Sequence, residues 1–482
     1  MEKSLIAAIL LALFTWSGDA SPAHLGVLVP VQQGAEVATK PSPGGAARPI
    51  LQPASDGALY RALMAESRRG TVAFVLKLDE QAQRLNGQAL QPTWLLLTEE
   101  EGGFAQRGFW LRQSGHERYI DQPYVALLTD AASVTDGSFE EVFAHETGHV
   151  LLRRLLPNLP AGMSRVRHGS LTVTDDPTAL DEGFAIHFQA LSHLLTANPA
   201  LRAHDAGLGD KAFTPLWQSN VDGTFRIDGV RRNWFIHRQL LPPGNDDTLG
   251  RRANSSAFDV AALKNGNQMM ASEGVVATLF YRALARRPSA ARYASLFRAL
   301  QRLNSQELKP DSPLLPLLVQ NWIVADPSQG NEFLRLFIET TYGATIETAL
   351  PQATVALAQV GRVGNQEAFV EQLKPARERL AALTERTARQ PGLLTAALGP
   401  AIWLASSVPL IVNVNTAESD ELAALDHSLA CCAGNIVAER DAHGPYQSLE
   451  ELVRRTGLAA PLPETLSELA AAATALGPYP RL

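Results

Sequence analysis

The first third of the chain carries short runs of β-branched and aromatic residues, and helical spacing dominates after Asp136. Thr71–Lys77, Trp94–Thr98 and Tyr124–Thr129 are predicted as strands, and Trp110–Arg112 as a further sheet strand. Ser138 followed by Glu141 reads as a capping box that opens a helix, and Pro157 and Pro160 mark its end. Asp176 before Pro177 reads as the N-cap and first residue of another helix. Leu180, Phe184, Phe188 and Leu191 make its apolar stripe, and Glu182 falls on the opposite face with Gln189 and His193. Pro242–Arg252 is a polar loop, and no internal repeat of fixed period occurs.

The amino terminus follows a different pattern. Lys3, the apolar run Leu5–Trp16 and the small residues Gly18 and Ala20 form a secretory signal over residues 1–20. Residues 21–54, rich in Pro, Gly and Ala, read as a leader or linker. A globular unit is expected over 55–355, a helical connector over 356–410 and a small domain over 411–482. No charged residue stands between Arg389 and Glu418, but Pro391, Gly392, Gly399, Pro400 and Pro409 break that stretch. A buried connector is therefore expected rather than a membrane span. The 482 residues carry a net charge of −7, which argues against a chain whose main role is to coat nucleic acid. The two cysteines, Cys431 and Cys432, are adjacent, which excludes a disulfide framework and a cysteine-based zinc finger. They read as two small buried apolar residues, with a strained vicinal disulfide as the alternative.

Any metal must then be held by histidine and carboxylate. In Ser138-Phe-Glu-Glu-Val-Phe-Ala-His145-Glu146-Thr-Gly-His149, the two histidines stand one helical turn apart and share a face. Glu146 lies beside them, within reach of a water but not of the same ligand pair. This is the H-E-x-x-H arrangement of zinc hydrolases. A third ligand has to complete it. The extended form with a further histidine is excluded, because Leu152 and Leu155 occupy the required positions. Instead, Glu182 follows His149 by 33 residues on the second helix. It completes a His–His–Glu set with a fourth position left to water. Glu273, in Ser272-Glu273-Gly274, is the rival third ligand, His187 reads as a core histidine, and His168 can face the cleft.

His145-Glu-Thr-Gly-His149 followed by Asp181-Glu-Gly-Phe-Ala resembles the gluzincin metallopeptidases. The resemblance implies a zincin-like domain in which His145, His149 and Glu182 bind Zn²⁺ and Glu146 is the general base. Asp181 would orient a ligand. A Tyr or His donor usually completes such sites, with Tyr281, Tyr342 and His237 as candidates. Ile186 stands where the thermolysin-like branch has an Asp, which disfavours that branch.

The segment from Val412 through Leu452 is similar to the helix-hairpin-helix domain of bacterial DNA-uptake competence proteins. That family places Pro-Gly-Ile-Gly in the hairpin, where backbone amides approach a phosphate. Here Asp426, His427, Ser428 and Leu429 stand instead, and Cys432 occupies the position that often carries Lys. Residues 411–482 hold ten acidic and four basic side chains, which repels phosphate.

The expected fold class is α+β: a small sheet on the zinc-binding helix, a mainly helical subdomain and a small all-α helix-hairpin-helix domain. The expected function is an exported zinc metallopeptidase, periplasmic or secreted, that hydrolyses peptide bonds through a zinc-bound water activated by Glu146. Its partner is a peptide or protein substrate. A nucleic-acid partner and a transmembrane span in the mature chain are not expected, and the carboxy-terminal domain is a candidate protein-docking module. The alternatives are a proteolytically silent zinc-binding scaffold and a DNA-associated surface protein.

Overall fold

The computed structural model describes residues 24–162, 174–206, 265–285, 287–309, 311–348, 366–405, 411–425 and 429–458. Residues 1–20, read above as a secretory signal, residues 242–252, read as a polar loop, His168, His237 and residues 426–428 lie outside them.

The chain is α+β and opens with strands. These are β1 (Leu25–Pro30), β2 (Gln32–Gln33), β3 (Glu36–Val37), β4 (Thr39–Pro41) and β5 (Ala47–Pro53), then β6 (Thr93–Thr98), β7 (Gly103–Gln113) and β8 (His116–Leu128). The main sheet has the order β1-β6-β8-β7-β5, and β5 pairs back onto β1, so five strands close into a ring. Strand β4 joins through a hairpin with β5. Period-2 alternation fills both faces. Trp94, Phe109 and Tyr124 point inward and pack edge to face, with ring centroids 5.6 and 5.3 Å apart. Leu95, Val125 and Leu127 point outward into the helical core. At Gly108 the β7–β8 register shifts. Its φ of 83° and the Tyr119 hydroxyl, 2.4 Å from where a Cβ would stand, leave room only for glycine.

Residues 25–53 are thus sheet, not the leader or linker read from composition. The Pro and Gly residues punctuate it: Pro30, Pro41 and Pro53 end strands, and Pro43-Gly44-Gly45 makes the β4–β5 turn, closed by Ser42 N to Ala46 O at 2.7 Å. The closed ring is not a feature that the gluzincin resemblance implied.

Helices α1 (Ala58–Glu66) and α2 (Gly70–Leu85) follow β5. The expected strand Thr71–Lys77 is instead the first half of α2. Its β-branched residues suggested a strand, but Val72, Val75, Leu76, Asp79, Ala82 and Gln83 are buried at helical spacing, and tertiary packing overrides local preference. After β8 come α3 (Ala131–Asp136), α4 (Ser138–Leu155), α5 (Asp176–Leu195) and α6 (Pro199–Ala206). The capping box belongs to α3, where Asp130 and Ser133 bond reciprocally. Helix α4 starts instead from Gly137 in a left-handed conformation (φ 94°), and Ser138 Oγ turns back to Asp136 at 2.7 Å. The N-cap of α5 is Asp175, one residue earlier than expected, with its carboxylate on Thr178 N at 3.0 Å.

A helical layer covers the far side of α5. It comprises α7 (Gly266–Met270), α8 (Glu273–Phe280), a π-turn (Tyr281–Ala285), α9 (Ala290–Asn304), α10 (Leu314–Ala325), α11 (Pro327–Thr341) and α12 (Gln366–Arg389). Phe184, Phe188, Phe280, Tyr293, Trp322 and Phe333 fill the core between them.

The charge-free stretch forms a 3₁₀ turn (Pro391–Thr395) and a two-stranded ribbon of β9 (Trp403–Ala405) with β10 (Ile411–Asn413). Three helices follow: α13 (Ser419–Leu425), α14 (Ala433–His443) and α15 (Leu449–Thr456). They share a separate core with Leu404, Val412 and Tyr446. Asn265 Nδ2 to Thr416 O (2.9 Å) and Gln268 Nε2 to Glu421 Oε2 (2.9 Å) tie this unit to α7. Cys431 is exposed and Cys432 half-buried, so they are not the buried apolar pair expected. No described helix is long and apolar enough to cross a membrane.

Candidate metal centre

Helices α4 and α5 run antiparallel: His149 meets Asp181, Gly148 meets Ala185, Glu141 meets His193 and Glu140 meets Thr196. Two motif glycines set their approach. A Cβ on Gly148 would lie 2.8 Å from Ala185 Cα, and one on Gly183 would lie 2.4 Å from Val276 Cβ on α8. Sequence reasoning assigned neither glycine a role, although both sit inside the motifs it singled out.

Close approach brings His145, His149 and Glu182 together, with one ligand atom from each lying within 4.8 Å of the others. Glu182 Oε2 stands 3.6 Å from His145 Nε2 and 3.6 Å from His149 Nε2. Those separations are too long for hydrogen bonds. Two donors each about 2.1 Å from a shared tetrahedral centre stand about 3.4 Å apart, so the two Glu182–histidine separations are compatible with a shared zinc-sized ion.

Asp181 accepts from His149 Nδ1 at 2.7 Å, which turns Nε2 towards the cluster. Its other oxygen takes Arg153 Nη2 at 2.7 Å. Arg153 is a further supporting residue that sequence reasoning missed, and its position one turn after His149 is the signal that was available. Burial pushes His149 down, but Asp181, Glu182 and Glu146 outweigh it and raise its pKa to about 10. Burial also raises Glu146, against the pull of His149 and His145. Asp181 is held below the usual carboxylate range: burial opposes ionisation, but His149 and Arg153 outweigh it.

Glu146 is buried beside the cluster, under the first residue of β7. A Cβ on Gly103 would lie 2.9 Å from both Cγ and Oε1 of Glu146. Nothing in the sequence pattern connected Gly103 to this site.

The other candidates stand apart. Glu273 is buried at the start of α8 and is not among the converging groups. His187 is fully buried, with Nε2 3.2 Å from the Tyr293 hydroxyl, and burial lowers its pKa to about 3. It is a neutral core histidine. Tyr342 is buried in the helical core at the end of α11. Tyr281 is half-buried against Ile186 and Ala190, on the same face of α5 as Glu182.

Among known families, the helix-hairpin-helix motif matches residues 410–469. No curated protein and no solved structure matches the chain. Residues 145–182 lie outside the matched segment.

Proposed function

We propose that the protein is an exported zinc metallopeptidase of gluzincin type, with residues 24–348 as a zincin-like catalytic unit. The observation that carries this reading is the convergence of His145, His149 and Glu182 with Glu146 alongside. The amino-terminal pattern over residues 1–20 supports export to the periplasm or beyond.

His145, His149 and Glu182 would hold a zinc ion, which would supply a Lewis acid for the scissile carbonyl and a lowered pKa for a water beside it. Glu146 takes the proton from that water and returns it to the departing amine. Its buried setting suits this role, because a carboxylate that holds its proton more tightly is a stronger base. Asp181 keeps His149 in the tautomer that presents Nε2. Gly103 keeps the strand close over Glu146. Along residues 103–107 the described pairings of β7 are with β8 alone, which leaves an edge for an extended peptide.

The test is zinc content and peptide-library cleavage for the wild type, Glu182→Ala and Glu146→Gln. One zinc in the wild type, weakened in Glu182→Ala and retained without cleavage in Glu146→Gln, supports the reading. Zinc without cleavage in the wild type indicates a silent scaffold, and no zinc in unchelated protein overturns the proposal.

The helix-hairpin-helix match favours a second reading for the carboxy-terminal unit, contact with nucleic acid. Against it stand the ten acidic and four basic side chains of residues 411–482 and the missing hairpin glycines, which favour protein docking. Salt-dependent DNA binding decides between them.

A further inference from the structure

We propose that Cys431 and Cys432 are a redox-active dithiol, oxidised to a vicinal disulfide by a small disulfide of the glutathione class. The inference does not depend on the peptidase reading.

The pair ends the turn that leads into α14, and Cys432 is the N-cap residue of that helix. Leu429 and Ala433 are buried in the carboxy-terminal core on either side of it. Backbone bonds from Cys432 N and Ala433 N to Leu429 O, at 2.9 and 2.8 Å, pin the turn between these anchors. Both thiols therefore project from a fixed scaffold. Cys431 is exposed, Cys432 is half-buried, and their sulfur atoms stand 2.7 Å apart. Packing does not account for two thiols in such a position, since structural cysteines are buried and inert.

Adjacency decides what kind of disulfide the pair can form. Neighbouring Cα atoms stand about 3.8 Å apart across a trans peptide, short of the 4.4–6.8 Å that disulfides usually span. The closed eight-membered ring is strained, and a strained, exposed disulfide is readily reduced. The pair is thus a reversible switch and not a staple. In the exchange, one protein thiolate attacks the disulfide and releases the first glutathione thiolate. The second protein thiolate then attacks the protein sulfur of the mixed disulfide and releases the other. Two protein thiols become one disulfide, one glutathione disulfide becomes two glutathione thiols, and the protons pass to the thiolates released. Closing the ring stiffens the entrance to α14, inside the segment that matches the helix-hairpin-helix motif.

The experiment uses the full chain, reduced, freed of reductant and treated with glutathione disulfide, followed by intact mass and thiol counting. Because the sequence has no other cysteine, the count is unambiguous. The wild type is expected to lose both thiols and about 2 Da, retain no glutathione, and recover both thiols in excess reduced glutathione. Cys431→Ser and Cys432→Ser, which cannot close the ring, are each expected to stop at a stable glutathione adduct. Persistence of both thiols, a lasting adduct in the wild type, a disulfide-linked dimer, or a ring that resists reduced glutathione would each overturn the proposal.

Discussion

Asp181 Oδ1 sits 2.7 Å from His149 Nδ1, and its second oxygen sits 2.7 Å from Arg153 Nη2. One carboxylate thus joins two residues of α4 that stand one turn apart. The histidine ring is fixed from behind, and the arginine fixes the carboxylate. Asp181→Ala is expected to weaken zinc binding about 10–100-fold, the usual loss when a partner behind a ligand is removed. Arg153→Ala is expected to lower it less and in the same direction, because Asp181 remains but can rotate. Competition with a chromogenic chelator measures both, and thermal unfolding without metal separates loss of orientation from loss of fold. Unchanged affinity in Arg153→Ala would remove the arginine from the site.

Gly103 offers a test of the proposed base, Glu146, that leaves the proposed zinc ligands alone. A methyl group there meets Glu146 Cγ, Glu146 Oε1 and Val142 Cγ1, all at 2.9 Å. Either the strand or the carboxylate must give way, and displacing a reacting group by about 1 Å costs on the order of 100-fold in rate. Gly103→Ala is expected to lower kcat by about 10–100-fold while zinc content stays at the wild-type level. Cleavage kinetics beside metal analysis check this, and an unaltered kcat would show that the strand does not hold Glu146.

Acid sensitivity should arise in part from His187. In the fold its pKa is depressed from 6.5 to about 3 by burial, so it stays neutral where the unfolded chain takes up a proton. The unfolded state binds more protons through that window, so stability falls as the pH drops below about 6.5 and levels off near 3. The steepest contribution from this group is about 1.4 kcal/mol per pH unit. His187→Phe keeps an aromatic ring among Phe184, Phe188 and Phe280 but cannot titrate. It is expected to be less stable at pH 7, since the Tyr293 hydroxyl loses its 3.2 Å partner, and to show a shallower decline between pH 6.5 and 4. Urea unfolding across that range gives the slope, and parallel slopes would assign the acid loss to other groups.

The parts of the structure that were legible in the sequence are those set by local rules. The i, i+4 spacing of His145 and His149 put both on one face, and the period of Leu180, Phe184, Phe188 and Leu191 turned Glu182 away from the core. Strands at Trp94–Thr98 and Tyr124–Thr129 followed from β-branched and aromatic runs and match β6 and the end of β8. The misses came where long-range packing decides. Thr71, Val72 and Val75 have strand propensity but lie in α2, because α4 and the sheet bury a helical face there. Proline and glycine over residues 21–54 suggested a linker, since composition does not reveal that the intervening residues pair with β6 and β7. Gly103 over Glu146 and Arg153 beside Asp181 depend on how the strand and helices meet. A single sequence does not encode that geometry locally.

Helix α4, which carries His145 and His149, is also anchored at its far end by Asp79 and Arg154. Arg154 Nε donates to Asp79 Oδ1 at 2.8 Å, and both side chains are almost wholly buried. Further bonds surround the pair: Gln83 and Thr93 donate to Asp79 Oδ2 at 2.9 Å each, while Arg154 Nη1 donates to Gln88 and Gln122 at 3.0 and 2.7 Å. A buried pair is costly to assemble but more costly to break, because the surviving charge is stranded out of water. Asp79→Ala is expected to destabilise the fold by about 3–5 kcal/mol, and Arg154→Met by a similar amount. The double variant Asp79→Leu with Arg154→Met strands no charge, so it is expected to lose less than either single change. The neighbouring Arg153 stays in place, so zinc affinity in the folded double variant is expected to match the wild type. Urea midpoints and chelator competition on the three variants check the set. Additive losses in the double variant would mean that the ion pair is not coupled, and a fall in zinc affinity would mean that this anchor also sets the angle at which α4 presents His145 and His149.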